Sequence, residues 1–182
     1  FIGIYILFFF ISIFATKNGL KIIKKLDLLQ NIRTEGPPKH FQKSKTPTMG
    51  GVFMITPFLI FLLFITLKLG SLELFLLLLT ILGFFTTGFL DDYLSIKNKE
   101  NTGLKTKDKF ILQSIISIIF IFFAYEKNLI NPLIIVSDSW GINMNVFILP
   151  ISFLVLVGIS NSVNLTDGLD GLAAGCSGIV FY

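Results

Sequence analysis

Apolar runs long enough to cross a lipid bilayer alternate with shorter polar connections along this chain of 182 residues. A membrane-spanning helix needs about 20 mostly apolar residues. The predicted spans are residues 1–15, 49–67, 74–90, 110–125, 146–159 and 171–182, with the fourth borrowing flanking residues. The pattern predicts an all-α polytopic membrane protein with five to six transmembrane helices.

Lysine and arginine are distributed unevenly among the connections. Residues 16–48 hold eight of them and residues 91–109 hold five, whereas the two other connections, up to residue 145, hold one each. This alternation is the positive-inside signature. It predicts that 16–48 and 91–109 lie in the cytoplasm, and by parity 160–170 as well.

The composition excludes a soluble protein. The chain is 53% hydrophobic and 14% charged, with a mean hydropathy of +0.82, whereas soluble domains have about a quarter of their residues charged. Cys176 is the single cysteine, so no intramolecular disulfide is expected. Because both ends lie in apolar runs, we expect one integral-membrane domain over 1–182, truncated at both ends.

The outer connection contains two short β-prone runs, 133–136 and 142–147, which flank the turn-like sequence Asp138-Ser139-Trp140-Gly141. A glycine-containing turn between two such runs is typical of a hairpin. A small β-hairpin is therefore predicted near 133–147.

Asp91 and Asp92 follow the third apolar run directly, in GFLDDYL. Ionised groups at membrane depth are expensive and usually functional, and two adjacent carboxylates favour a cation beside them. Magnesium, which bridges carboxylates and substrate phosphates, fits this role. The alternative is that the pair marks the water boundary at a helix end, although a helix C-terminus disfavours negative charge.

A second polar segment reads NSVNLTDGLDGLAAG, in which Asn161, Asn164, Asp167 and Asp170 recur every three residues. Residues three apart are neighbours on a helix, so these side chains form a polar ridge. Because no lysine or arginine lies in the segment, we expect a metal ion and substrate as partners of its carboxylates. The alternative is that Asp167 or Asp170 caps a helix that begins near Gly171.

The basic segment HFQKSKTPTMGG places Lys43 and Thr48 beside two glycines. Lysines and free backbone N–H groups suit phosphate oxygens. The alternative, which also applies to Lys109, is a basic cluster that sets orientation and touches anionic lipid. His40 has no second metal ligand in sequence and is expected to be an ordinary loop histidine.

Acids, lysines and a bilayer together indicate phosphoryl or pyrophosphate chemistry on a lipid reactant.

Four blocks, TPTMGG, GFLDDY, GLKTKDK and NSVNLTDGLDGLAAG, resemble the phospho-N-acetylmuramoyl-pentapeptide transferases of the polyprenyl-phosphate N-acetylhexosamine-1-phosphate transferase superfamily. The resemblance runs nearly end to end. It implies a ten-helix enzyme of the bacterial inner membrane, with its active-site loops in the cytoplasm and membrane lipid around it. Such an enzyme moves phospho-N-acetylmuramoyl-pentapeptide from its UDP carrier to undecaprenyl phosphate, forming lipid I and UMP with Mg²⁺. No nucleic acid is implied, and a homodimer is left open.

The resemblance also implies roles for residues. Asp91 and Asp92 match the family's acidic pair, which deprotonates the lipid phosphate or, in a rival scheme, supplies a nucleophile. Asp167 matches an active-site acid, and these three are the expected catalytic and metal-binding residues. The expected substrate-binding residues are Lys43, Thr48, Lys109, Asn161, Asn164 and Asp170.

The chain departs from the family pattern at Ser95, where many members have lysine, and at Lys45, where many have glycine. The family's later acidic loop, with a principal magnesium ligand, and its histidine-containing loop are expected beyond Tyr182. A fragment made as it stands is therefore expected to be inactive. Two other functions stay open: a sister transferase that uses UDP-N-acetylglucosamine, and an ion-binding transporter, which would place acids mid-span at a repeat interface.

Overall fold

A computed structural model of the protein describes residues 2–28, 47–98, 103–137, 140–167 and 172–180. The elements are α1 (Ile2–Lys25), α2 (Gly50–Leu69), α3 (Leu72–Asn98), α4 (Thr106–Glu126), β1 (Leu133–Ser137), β2 (Trp140–Asn143), α5 (Ile148–Thr166) and α6 (Leu172–Val180). Within these ranges, five helices are long and apolar enough to cross a membrane. The prediction of an all-α polytopic membrane protein is confirmed.

Several helices extend beyond the apolar runs that predicted them. Helix α1 continues through a lysine-rich segment to Lys25, α3 continues to Asn98, and α5 continues to Thr166. Residues such as lysine and leucine are good helix formers in water as well as in lipid, so an apolar run marks the bilayer crossing and not the end of the helix. The predictions that residue 16 begins a loop, that Asp91 and Asp92 end a helix, and that residue 160 begins a loop were wrong.

The chain forms two compact units, and the first is Phe1–Leu112. In this unit, Gly19 of α1 lies so close to the Phe53 ring of α2 that a Cβ at Gly19 would overlap it. The rings of Phe8 and Phe61 join the same two helices, with centroids 4.3 Å apart. The backbone N–H of Thr48 donates to the carbonyl of Leu28 at 3.1 Å, which ties the start of α2 to the end of α1.

The second unit is Gln113–Tyr182 and contains the hairpin. Strands β1 and β2 pair antiparallel, with Leu133 opposite Asn143 and Ile134 opposite Ile142. The predicted hairpin is confirmed, although its second strand begins at Trp140, earlier than expected. The backbone N–H of Met144 donates to the carbonyl of Pro132 at 2.8 Å and closes the open end of the hairpin.

Candidate active site

The acidic pair lies on α3, and Asp92 faces the start of α2. The Asp92 carboxylate accepts hydrogen bonds from the backbone N–H of Met49 and from the hydroxyl of Thr48. Met49 immediately precedes α2, has a left-handed φ of 64° and has no side-chain cap of its own. Because a helix N-terminus carries partial positive charge, it stabilises a carboxylate placed there. Asp92 therefore caps α2 from a neighbouring helix, and the structure brings Thr48 and Asp92 together.

Asp91 is held by two other donors. Lys109 Nζ lies 2.8 Å from Asp91 Oδ2, and the backbone N–H of Leu104 donates to Asp91 Oδ1 at 2.9 Å. The side chains of Lys109 and Asp91 are only 16% and 25% exposed, so solvent screens this pair weakly. The structure thus gives Asp91 a cationic partner in Lys109, and the divalent cation expected beside Asp91 stays a prediction.

Gly103 allows the connection before α4 to approach α3. A Cβ at Gly103 would overlap the backbone carbonyl and the carboxylate of Asp91. Only glycine can bring its backbone this close to another segment. The glycine thus places the Leu104 N–H on Asp91.

We expect Gly103→Ala in the full-length protein to lower the free energy of unfolding by about 1–3 kcal/mol, because the added methyl group overpacks the contact with Asp91. Thermal unfolding in detergent measures the effect. Gly88→Ala, also on α3, is the matched control, since a Cβ at Gly88 meets nothing within 4 Å. Equal melting temperatures for the two variants would contradict the close approach.

The polar ridge lies at the end of α5. Asn161 Nδ2 donates to Gln113 Oε1 at 2.7 Å and to the carbonyl of Val157 at 2.8 Å. Both hydrogens of that amide are therefore used, and a substrate would meet Asn161 only through its Oδ1. Asn164 and Asp167 are exposed. Asp167 ends α5, where its backbone N–H donates to the carbonyl of Val163, so it does not stand at the start of α6.

Among the described residues no group of three His, Cys, Asp or Glu side chains could hold a metal ion, whereas magnesium is commonly held by one or two carboxylates together with water and substrate phosphates. Asp91 and Asp92 offer the oxygen ligands that magnesium prefers, but each already has protein donors. Lys43, His40 and Asp170 lie outside the described residues.

Sequence reasoning missed two groups that hold the predicted residues. The Leu104 N–H could not be anticipated, since a backbone donor has no sequence signal. Gln113 did have one, because it is an amide side chain near the start of an otherwise apolar run. A polar group inside a membrane span needs a partner, and this one bonds to Asn161.

Two family models match the chain. Residues 74–182 match glycosyl transferase family 4, and this range includes Asp91, Asp92, Lys109 and the ridge. Residues 43–55 match phospho-N-acetylmuramoyl-pentapeptide-transferase signature 1, and this range includes Lys43 and Thr48. The contact between Thr48 and Asp92 therefore joins the signature segment to the region that the larger family model matches.

Several curated relatives are named phospho-N-acetylmuramoyl-pentapeptide-transferase. One from Prochlorococcus marinus (strain MIT 9215) is 83% identical over 182 residues, which are 100% of this chain and 51% of the relative. One from Prochlorococcus marinus subsp. pastoris is 56% identical over 181 residues, 100% of this chain and 50% of the relative. One from Halalkalibacterium halodurans is 39% identical over 178 residues, 97% of this chain and 55% of the relative. The chain spans about half the length of the curated relatives it matches.

Proposed function

Because the chain belongs to glycosyl transferase family 4, we propose that the whole protein is a membrane transferase for a phospho-sugar. It moves phospho-N-acetylmuramoyl-pentapeptide from its UDP carrier to undecaprenyl phosphate and forms lipid I and UMP for peptidoglycan synthesis. The observation that carries the proposal is the contact of the signature segment, through Thr48 and Met49, with Asp92. The protein acts as a single transferase domain in the bacterial cytoplasmic membrane, with its site on the cytoplasmic side, as the lysine distribution predicts.

The chemistry requires two anions to meet. A phosphate on a lipid attacks the sugar-side phosphate of a UDP-sugar, and sites for such transfers work mainly by positioning and by neutralising charge. Lys109 supplies positive charge beside the acidic pair. Lys43 contacts the substrate phosphates, and Thr48 does so when its hydroxyl turns from Asp92 to a phosphate oxygen. Asn161, Asn164, Asp167 and Asp170 orient the nucleotide-sugar.

Of the two adjacent carboxylates, Asp92 is the better candidate for the base that deprotonates the lipid phosphate. Both carboxylate oxygens of Asp91 already have donors, because Lys109 Nζ lies 2.8 Å from its Oδ2 and the Leu104 N–H donates to its Oδ1. Asp92 has an amide N–H and a hydroxyl as its donors, and Lys109, whose ammonium group bonds to Asp91, acts on Asp92 only through its charge. Asp91 then serves to hold Lys109 and the connection before α4 in place.

Magnesium is the proposed cofactor of the whole protein. Bound beside the substrates it would neutralise the charge that develops on the phosphates. Asp91, Asp92 and Asp167 are the residues of this chain proposed to reach it. The roles of Asp92 and Lys109 stated above do not depend on the metal.

The test is a transfer assay with the purified full-length protein in liposomes that contain undecaprenyl phosphate. We expect radiolabel to enter lipid from UDP-N-acetylmuramoyl-pentapeptide, with release of UMP, to stop on chelation and to return with added Mg²⁺. Labelling from UDP-N-acetylglucosamine instead would assign the sister transferase. Ion flux that does not depend on nucleotide, without any transfer, would assign a transporter.

A further inference from the structure

Gln113 is a buried amide in a helix that otherwise buries mostly small or apolar side chains. It is 2% exposed, and both ends of its amide contact α5. Gln113 Nε2 donates to Ser160 Oγ at 3.2 Å, and Gln113 Oε1 accepts from Asn161 Nδ2 at 2.7 Å. Ser117, one turn further along α4, is also buried but has no hydrogen-bond partner among the described residues. Gln113 is thus a buried polar side chain of α4 whose contacts reach another helix.

These two bonds fix the rotation of the end of α5. Asn161, Asn164 and Asp167 follow one another at spacings of three, so each is a neighbour of the next along a slanting line at the end of α5. With both its amide hydrogens held by Gln113 and Val157, Asn161 cannot turn about the helix axis without breaking a bond. Hydrogen bonds between membrane helices add only modestly to stability, so the main effect of this contact is on orientation.

We propose that Gln113 is a positioning residue: through Ser160 and Asn161 it sets the direction in which α5 presents Asn164 and Asp167 to the nucleotide-sugar. Gln113 itself does not touch the substrate. The expected effect on kinetics rests on the proposed transferase function. The expected effect on the orientation of α5 rests only on the two hydrogen bonds.

The kinetic experiment uses Gln113→Leu in the full-length protein, which keeps most of the volume and removes both bonds. A small misplacement of groups that bind substrate costs about 10- to 100-fold, and we expect kcat/KM for the UDP-sugar to fall by that factor. The KM for undecaprenyl phosphate should stay unchanged. Since the two residues act as one unit, Gln113→Leu with Asn161→Leu should cost no more than the larger single effect.

Two further variants separate positioning from general destabilisation. Ser160→Ala removes one of the two bonds and should lose less activity than Gln113→Leu. Ser152→Ala is the matched control, because the Ser152 hydroxyl donates only within α5, to the carbonyl of Ile148, and it should behave as the unsubstituted protein. Additive losses in the double variant, or equal losses of both KM values, would overturn the proposal.

A second measurement does not need the transferase reaction. A single cysteine at position 164, Asn164→Cys in a Cys176→Ser background, reports the orientation of α5 by its rate of labelling with a water-soluble maleimide. We expect Gln113→Leu to change that rate and Ser152→Ala to leave it unchanged. Transfer activity is measured separately in the protein that keeps Asn164, because Asn164 itself belongs to the proposed substrate site. A changed labelling rate would support the anchoring whether or not that protein transfers the sugar, and absence of transfer would sink the proposed function. An unchanged labelling rate would sink the anchoring.

Discussion

Asp92→Asn in the full-length protein is expected to reduce turnover by about 10²- to 10⁴-fold, the range for loss of a general base. Asparagine has the same shape and its Oδ1 still accepts a hydrogen bond from Met49 or Thr48, so the start of α2 stays capped. What is lost is the negative charge that takes the proton. The measurement is turnover at saturating substrate, together with the melting temperature, which should stay unchanged.

Asp108→Asn is the matched control for this substitution. Asp108 is exposed in the first turn of α4, close in sequence to Lys109, and its loss of charge should leave turnover nearly unchanged. Near-normal turnover of Asp92→Asn would remove Asp92 from the mechanism. A fall in melting temperature that matches the fall in activity would reduce Asp92 to a cap of α2.

Hydropathy located the membrane helices but not their ends. For α3 the apolar run stops before Asp91, and the helix continues to Asn98. Backbone hydrogen bonding continues through the charged residues of this extension, although they give no apolar signal. By contrast, the three-residue spacing of the predicted ridge is that of a helix, and α5 does include Asn161 and Asn164, although it ends before Asp167.

The partners of the site residues were harder to predict than the residues themselves. Asp91 and Lys109 are 18 positions apart, and the close approach of Gly103 to the backbone of Asp91 accompanies their contact. The number of residues between two positions does not indicate whether the fold brings them together. The sequence does not reveal for the same reason that Asp92 caps α2. The residue before α2 is Met49, which has no side chain able to cap a helix.

Lys109→Met is expected to lower kcat/KM by about 10- to 100-fold, since a hydrogen bond to a charged group contributes about 1.5–3 kcal/mol. The substitution leaves the Asp91 carboxylate partly buried beside Asp92 without its cation. It also removes the positive charge that we propose for the substrate phosphates. Lys107→Met, at an exposed position in the same turn of α4, is the control and should retain activity.

A double variant separates the two effects of Lys109. Adding Asp91→Asn to Lys109→Met removes the uncompensated carboxylate, so we expect the melting temperature lost in Lys109→Met to return. Activity should not return, because the neutral amide introduced by Asp91→Asn restores no positive charge for the phosphates. Recovered activity in the double variant would show that Lys109 acts only by neutralising Asp91. A melting temperature as low as that of Lys109→Met would mean that the 2.8 Å ion pair does not govern the fold of this segment, and that Asp91 and Lys109 act independently.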